Sequence, residues 1–247
     1  MLDMERVGHA FLGRTVLSRV ELTVERAEVV ALVGPSGSGK STLVHIAAGL
    51  IEPAEGRVTR NWRRQAMVFQ EPRLLPWATA LDNIAYPLRI AGQSRRAARA
   101  AAEDAAARVA LDPADLGKYP VELSGGMRQR TAIARALVAA PDFIHFDEPF
   151  TALDVALRRR MQDLVIAAAA TGDFAALFVT HDLAEAARIA HRVAVLDASG
   201  RGILGARRVP GTPGARTEAE IFALVQGWLT ADPLFRRIHD IDERRAS

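Results

Sequence analysis

A chain of 247 residues, 49% hydrophobic and 25% charged, is long enough to bury one α/β core with a smaller subdomain and too short for a multidomain enzyme. Its formal net charge of +3 is small, and its arginines fall in short clusters at 158–160, 207–208 and 244–245 without interleaved aromatics, so no nucleic-acid groove is expected. Having no cysteine, it cannot form disulfides, zinc–thiolate sites or thiol nucleophiles; residues 1–7 lack a signal-peptide core, and no apolar run nears the ~20 residues that cross a bilayer, so any membrane role must come through a partner.

Residues 1–30 read as short strands, with 16–24 alternating apolar and polar side chains. Phe11, followed by Gly13, falls in a turn, where its ring could stack on an adenine or equally pack in a core. The apolar run 29–33 predicts a buried strand. After it comes Gly34-Pro35-Ser36-Gly37-Ser38-Gly39-Lys40-Ser41-Thr42, which fits G-x-x-x-x-G-K-[ST] without a mismatch, and residues 43–50 continue as a helix. Glycines at 34, 37 and 39 allow the tight backbone that turns successive N–H groups inward, an anion nest at a helix N-terminus. In that nest Lys40 would bridge the β- and γ-phosphates, Ser41 would offer its hydroxyl to Mg²⁺, and Thr42 would reach the α-phosphate.

From residue 57 the chain returns to strand, and 65–69 reads as another, followed by Gln70. Glu71-Pro72-Arg73-Leu74-Leu75-Pro76-Trp77 cannot be a regular helix, because two prolines bracket it; Leu74, Leu75 and Trp77 would be costly to expose on a monomer and suggest either a subdomain core or a docking surface. Residues 81–91 and 94–110 read as helices, the second rich in Ala and Arg, with Asp112-Pro113 ending it. A helical insertion of about 73–134 is therefore expected between two strand-bearing halves. Within it Ser124 is placed to cap a helix running through 139, and Gly125 and Gly126 leave N–H groups open at its start, a second anion site.

The strand 143–148 ends in Asp147 and Glu148. Neighbours on a strand face opposite sides, so the two carboxylates are expected to play different roles. Asp147 would hold Mg²⁺, and Glu148 would polarise a water toward the γ-phosphate. Asp154 precedes a helix of about 155–170. The strand 175–179 then delivers His181 to the same sheet edge, where a γ-phosphate contact is expected. Helix 182–190 and strand 193–196 complete the core. Residues 200–214 read as loop, 217–229 as an amphipathic helix opened by a Thr217/Glu220 capping box, and 232–247 as a loosely held polar tail.

In this order the motifs resemble the ATP-binding cassette (ABC) ATPase family. Residues 34–42 resemble its Walker A loop, Gln70 its Q-loop, Leu123 to Arg130 its signature, Phe143 to Glu148 its Walker B strand, Ala152 to Asp154 its D-loop and His181 its switch histidine. The resemblance implies an α/β fold with a P-loop NTPase core, in which a mixed β-sheet is flanked by helices, together with an N-terminal antiparallel β subdomain and the inserted helical subdomain. It implies an ATPase domain over 1–205 and a C-terminal helical extension and tail over 206–247. It assigns catalysis to Glu148, His181 and Gln70, and Mg²⁺ to Ser41, Gln70 and Asp147. The ATP contacts fall to residues 34–42 and Phe11 and, across a head-to-tail pair of copies, to Ser124, Gly125, Gly126 and Asp154. Met127 stands where the family usually has Gln, and Phe11 where it usually has Tyr. The run Val68 to Trp77 resembles ATPase subunits of bacterial nitrate, sulfonate or taurine importers. That implies a second copy, transmembrane permease subunits and, indirectly, a solute-binding protein as partners, at the cytoplasmic face of the membrane. A soluble cassette acting on nucleic acid or ribosomes is the alternative, disfavoured because such proteins carry a coiled-coil insertion or two cassettes. A non-catalytic regulatory subunit is disfavoured by the presence of both Glu148 and His181.

Overall fold

In a computed structural model, which describes residues 1–170 and 174–236, the chain divides into two units, residues 1–62 with those from 169 onward, and residues 63–168. The first unit opens with a hairpin, β1 (Leu2–Phe11) and β2 (Arg14–Val24), to which β4 (Glu55–Arg60) adds on the β1 side, giving an antiparallel sheet ordered β2-β1-β4. These are longer strands than the sequence suggests. They bend rather than break: bulges interrupt the register between Met4 and Val7 and between Val7 and His9, with Arg6 at φ 50°.

The core of the same unit is a sheet in which β3 (Val29–Val33) lies between β7 (Ala175–Val179) and β8 (Arg192–Leu196), all parallel. β3 and β7 are buried at every residue, the continuous apolar pattern of strands covered on both faces. Beyond β8 the sheet carries an antiparallel edge strand, β9 (Ile203–Arg208). This corrects the expectation of a loop over 200–214. Gly202 and Gly205 hide the strand, because its ladder comes from β8 rather than from its own β-propensity. The expected domain division after residue 205 falls within it.

Helices α1 (Lys40–Ala47), α6 (Leu183–Ile189) and α7 (Glu218–Ala231) belong to this unit. Thr217 and Glu220 form the capping box of α7 in both directions. Residues 232–236 are not the loose tail expected from their polarity. Phe235 is 0% exposed and stacks on Trp228 at 4.5 Å, and Asp232 takes two hydrogen bonds from Arg207, at 2.7 and 3.0 Å. Residues 237–247 of that expected tail lie outside the described residues.

In the second unit β5 (Gln65–Val68) runs parallel to β6 (Phe143–Asp147). Helices α2 (Ala80–Ile90), α3 (Arg95–Arg108) and α4 (Gly125–Val138) pack on one another, and α5 (Val155–Ala170) follows β6. α3 buries Ala98, Ala102, Ala105 and Ala106, a stripe at helical spacing whose small side chains let the neighbouring helices approach. It stops at Arg108, earlier than expected, because Ala110 turns to φ 56°; Asp112 instead caps the short 3-10 turn Pro113–Asp115.

Candidate active site

The first unit carries the phosphate loop. Gly39, at φ 96°, is the N-cap of α1 with no side-chain cap, and α1 has no acidic residue in its first turn, so the positive end of the helix dipole is left uncompensated by its own side chains. The loop is pressed onto its neighbours. A Cβ on Gly39 would lie 2.9 Å from Leu17 Cδ2 and 3.1 Å from Val16 Cγ1, and one on Gly34 would lie 2.9 Å from the Leu196 carbonyl oxygen. Glycine is therefore required at 39 by conformation and by space. Lys40 is buried, its Nζ donating to the carbonyls of Gly34 at 2.7 Å and Pro35 at 3.0 Å. Ser36, Gly37 and Ser41 are exposed, and Pro35 and Ser38 are buried. Ser38 Oγ has no hydrogen-bond partner among the described residues. A buried hydroxyl without a partner, beneath inward-turned glycine backbone, is the chemistry an oxyanion satisfies, so the loop fits the phosphate chain of a nucleotide.

His181 joins this edge. Val179 of β7 pairs with Leu32 of β3, and the Thr180 N–H donates to the Leu32 carbonyl at 3.3 Å. The residue after Thr180 therefore emerges beside the strand that feeds the phosphate loop. His181 is exposed there, and Asp182 beside it caps α6, accepting from the N–H groups of Ala184 and Glu185.

Phe11 ends β1 before the turn at Leu12 and Gly13. At 47% exposure, with its ring edge-on to His9 at 4.6 Å, it is not a core residue, which removes the packing alternative.

The second unit gathers the remaining candidates around α4. Val68 pairs with Phe146, so Gln70 and the two carboxylates leave the same edge of the β5–β6 pair. Asp147 ends β6 and is 3% exposed. Glu148 lies past the strand at φ 46°. The divergence of the two carboxylates thus comes from a left-handed backbone turn, and the expected alternation along one strand is corrected on that point. A non-glycine residue held at positive φ is a strained position of the kind that collects at reacting centres.

Ser124 caps α4, its Oγ accepting from the Met127 N–H at 3.2 Å. A Cβ on Gly126 would lie 3.4 Å from the Ala152 carbonyl oxygen, and one on Gly125 would lie 4.0 Å from Ala152 Cβ and Arg128 Nη2. Asp154 caps α5 through the Leu157 N–H at 2.9 Å. Within this unit Gln70 and Asp147 offer an amide and a carboxylate oxygen, donors of the kind a hard divalent cation takes. Among the described residues no group of three or more His, Asp or Glu could hold a metal ion.

Gln129 of the signature, and Asn83 and Arg135 outside the recognised motifs, hold the segment around Gln70. Gln129 Nε2 donates to the Phe69 carbonyl at 3.2 Å, and Arg135 donates to the carbonyls of Pro72 and Arg73, both at 3.1 Å. Asn83, fully buried in α2, accepts from the Leu75 N–H and donates to the carbonyls of Leu75, Ala78 and Thr79. Arg73 lies over the Phe69 ring at 4.5 Å. Of the three apolar side chains in this segment, Leu74 and Leu75 are half-buried and Trp77 is open, at 74%. A polar residue inside an apolar helical stripe, as Asn83 is, is the one signal of this scaffold that the sequence carries.

Residues 17–151 match the ABC transporter family. The chain is 40% identical to the taurine import ATP-binding protein TauB of Sinorhizobium fredii over 92% of its own length and 86% of the relative's. It is 48% identical to the aliphatic sulfonates import ATP-binding protein SsuB 1 of Nocardia farcinica, over 76% of this chain and 74% of that one. Among solved structures, the ATP-binding cassette MJ0796, a dimer in a post-hydrolysis state bound to ADP and Pi, matches with a TM-score of 0.79 and 29% identity over 85% of this chain and all of that one.

Proposed function

The chain belongs to the ABC transporter family of ATPases, and from that premise we propose that it is the ATP-hydrolysing subunit of a bacterial importer for taurine or aliphatic sulfonates. The observation that carries the substrate class is 40% identity to a taurine import subunit sustained over 92% of the chain. Among the described residues no helix is long and apolar enough to cross a membrane, which agrees with a peripheral subunit working through permease subunits at the cytoplasmic face, with a solute-binding protein upstream of them.

In this reading the backbone N–H groups of residues 36–42 bind the phosphate chain, with Pro35 shaping the turn. Lys40 moves its amine from the Gly34 and Pro35 carbonyls onto β- and γ-phosphate oxygens. Ser41, Gln70 and Asp147 are the oxygen donors for Mg²⁺, which when bound would neutralise charge on those phosphates. Glu148 accepts the proton of the water that attacks the γ-phosphorus as the bond to the ADP oxygen breaks, and His181 donates to the γ-phosphate. Phe11, exposed at the end of β1, stacks on the adenine. Ser124, Gly125, Gly126 and Asp154 act on the nucleotide of a second, head-to-tail copy. The openness around Gly125 supports this role, and the Ser124 hydroxyl, which accepts from its own helix, keeps its O–H to donate beside the backbone N–H groups. Trp77 is the side chain we assign to the membrane subunit. Its segment is fixed by Asn83 and Arg135, so a pull on it reaches Gln70.

Glu148→Gln tests the chemistry. It should keep ATP and Mg²⁺ binding and lower turnover by roughly 10²- to 10⁴-fold, the scale of a lost general base, whereas Asp147→Asn should weaken Mg²⁺-dependent binding instead. Turnover near wild type in purified Glu148→Gln protein would sink the assignment.

A further inference from the structure

α6 has only seven residues, too few to hold a helical conformation alone, and it is fastened at both ends. Asp182 satisfies the first N–H groups. At the other end Arg216, reaching back from the C-terminal segment, lays its guanidinium on the helix's last carbonyls. Nη1 donates to Ala187 at 2.6 Å, Ala190 at 3.0 Å and Arg188 at 3.3 Å. Nε donates to Pro210 at 2.7 Å, and Nη2 to Gly211 at 2.8 Å and Val209 at 3.3 Å. All six bonds run to main-chain oxygens, and Arg216 is only 8% exposed. Burial pulls its pKa below the ordinary arginine range, yet guanidinium stays charged in proteins, and the negative end of the α6 dipole is the charge that faces it. A second tie runs alongside, Arg188 Nη1 to Glu218 Oε1 at 3.0 Å, from α6 to the first residue of α7.

We propose that Arg216 is a positioning residue for hydrolysis, acting through His181. Val179 is locked into the sheet against Leu32, and α6 begins at Leu183. Only Thr180, His181 and Asp182 lie between, so the direction of the His181 side chain is set by one anchor in the sheet and one in α6. The sheet anchor is permanent, whereas the α6 anchor depends on the C-terminal segment. Without the guanidinium the last carbonyls of α6 lose their partners, the helix frays from that end, and His181 loses one of its two fixed points. A displacement of about 1 Å at a reacting centre can cost on the order of 10²-fold in rate. The region after β8 is in this view part of the hydrolytic apparatus. The inference rests on the reading of His181 as the γ-phosphate contact.

The test compares His181→Ala, Arg216→Ala, Arg216→Lys and the His181→Ala/Arg216→Ala pair in the full chain. It measures kcat and KM for ATP, ATP affinity at equilibrium and thermal melting. Arg216→Ala should lower kcat about 10-fold or more while ATP affinity stays within about twofold, because the phosphate loop is untouched. Arg216→Lys, charged but without the planar fork, should recover part of the loss. The double variant should turn over no more slowly than His181→Ala alone, since the two act as a unit. Losses that multiply, or a lowered melting temperature with unchanged kcat, would overturn the inference. Normal turnover in His181→Ala would instead show that the reading of His181 is wrong, and the inference would fall with it. Should Arg216→Ala not fold, Glu218→Ala loosens the same helix from its exposed side. A fall in kcat at unchanged ATP affinity supports the inference there, and an unchanged kcat overturns it.

Discussion

Two helices in this molecule have a glycine at their start, as the N-cap of α1 and as the first residue of α4, and they are built in opposite ways. α1 starts at Gly39, which has no side-chain cap and φ 96°, and where an added Cβ would strike Leu17. α4 starts after Ser124, whose hydroxyl caps its own third residue, and an added Cβ on Gly125 would lie 4.0 Å from Ala152 Cβ and Arg128 Nη2. Both starts leave backbone N–H groups of the kind an anion takes. The first is locked by residues of its own unit. The second is stabilised as a helix end and left open above, which is what a site needs if its ligand arrives on another copy. The difference teaches that a glycine serves conformation at one start and access at the other.

Substitution by alanine should separate the two, and the largest effect should be at Gly39. Gly39→Ala combines a positive φ with a contact of 2.9 Å, so a loss of about 1 to 3 kcal/mol in stability is expected along with ATP binding, read by urea unfolding and nucleotide titration. Gly125→Ala should melt and bind ATP like wild type while turnover falls. Equal behaviour of the two variants would erase the distinction. A smaller effect is expected from Ser124→Ala, which removes a cap worth about 1 kcal/mol and should leave the ATP affinity of the phosphate loop unchanged.

The smallest concerns the strand that feeds the first start. His191 Nδ1 accepts the Val29 N–H at 3.0 Å, a bond only the unprotonated nitrogen can make. Burial, and to a lesser degree the charge of Arg216, hold its pKa below the ordinary value of 6.5 against the opposing pull of Glu28. Between that depressed pKa and the unfolded one, the unfolded chain binds more protons. Stability from this group is therefore complete above about pH 6.5 and is lost as the pH falls below it. Melting followed from about pH 7.5 to 5.5 should show a decline that His191→Gln flattens.

How legible these features are depends on whether a local rule fixes them. The G-x-x-x-x-G-K-S run announces strand, loop and helix at once, because its glycines and its lysine have one economical use. Thr217 and Glu220 spell out a capping box, and the box is there. β9 is illegible for the opposite reason: Gly202 just before it and Gly205 within it interrupt any strand pattern, and its ladder is supplied by β8 from across a turn. The turn at Glu148 is hidden because a carboxylate at positive φ follows from what the backbone does after β6, not from the residue itself. The bonds of Arg216 and Gln129 are silent in the sequence since each goes to main-chain carbonyls, which carry no sequence signature, and Arg216 reaches as far as 29 residues back to do so. Phe235, which stands in a polar stretch, owes its burial to Trp228, seven positions earlier.

The central claim is that one copy supplies the phosphate loop and another the α4 start. Sedimentation in ATP of Glu148→Gln beside Glu148→Gln/Ser124→Arg addresses it directly, with nucleotide binding measured on both. The first should run as a dimer and the second as a monomer that still holds ATP. A double variant that dimerises as firmly as the single one would contradict the account.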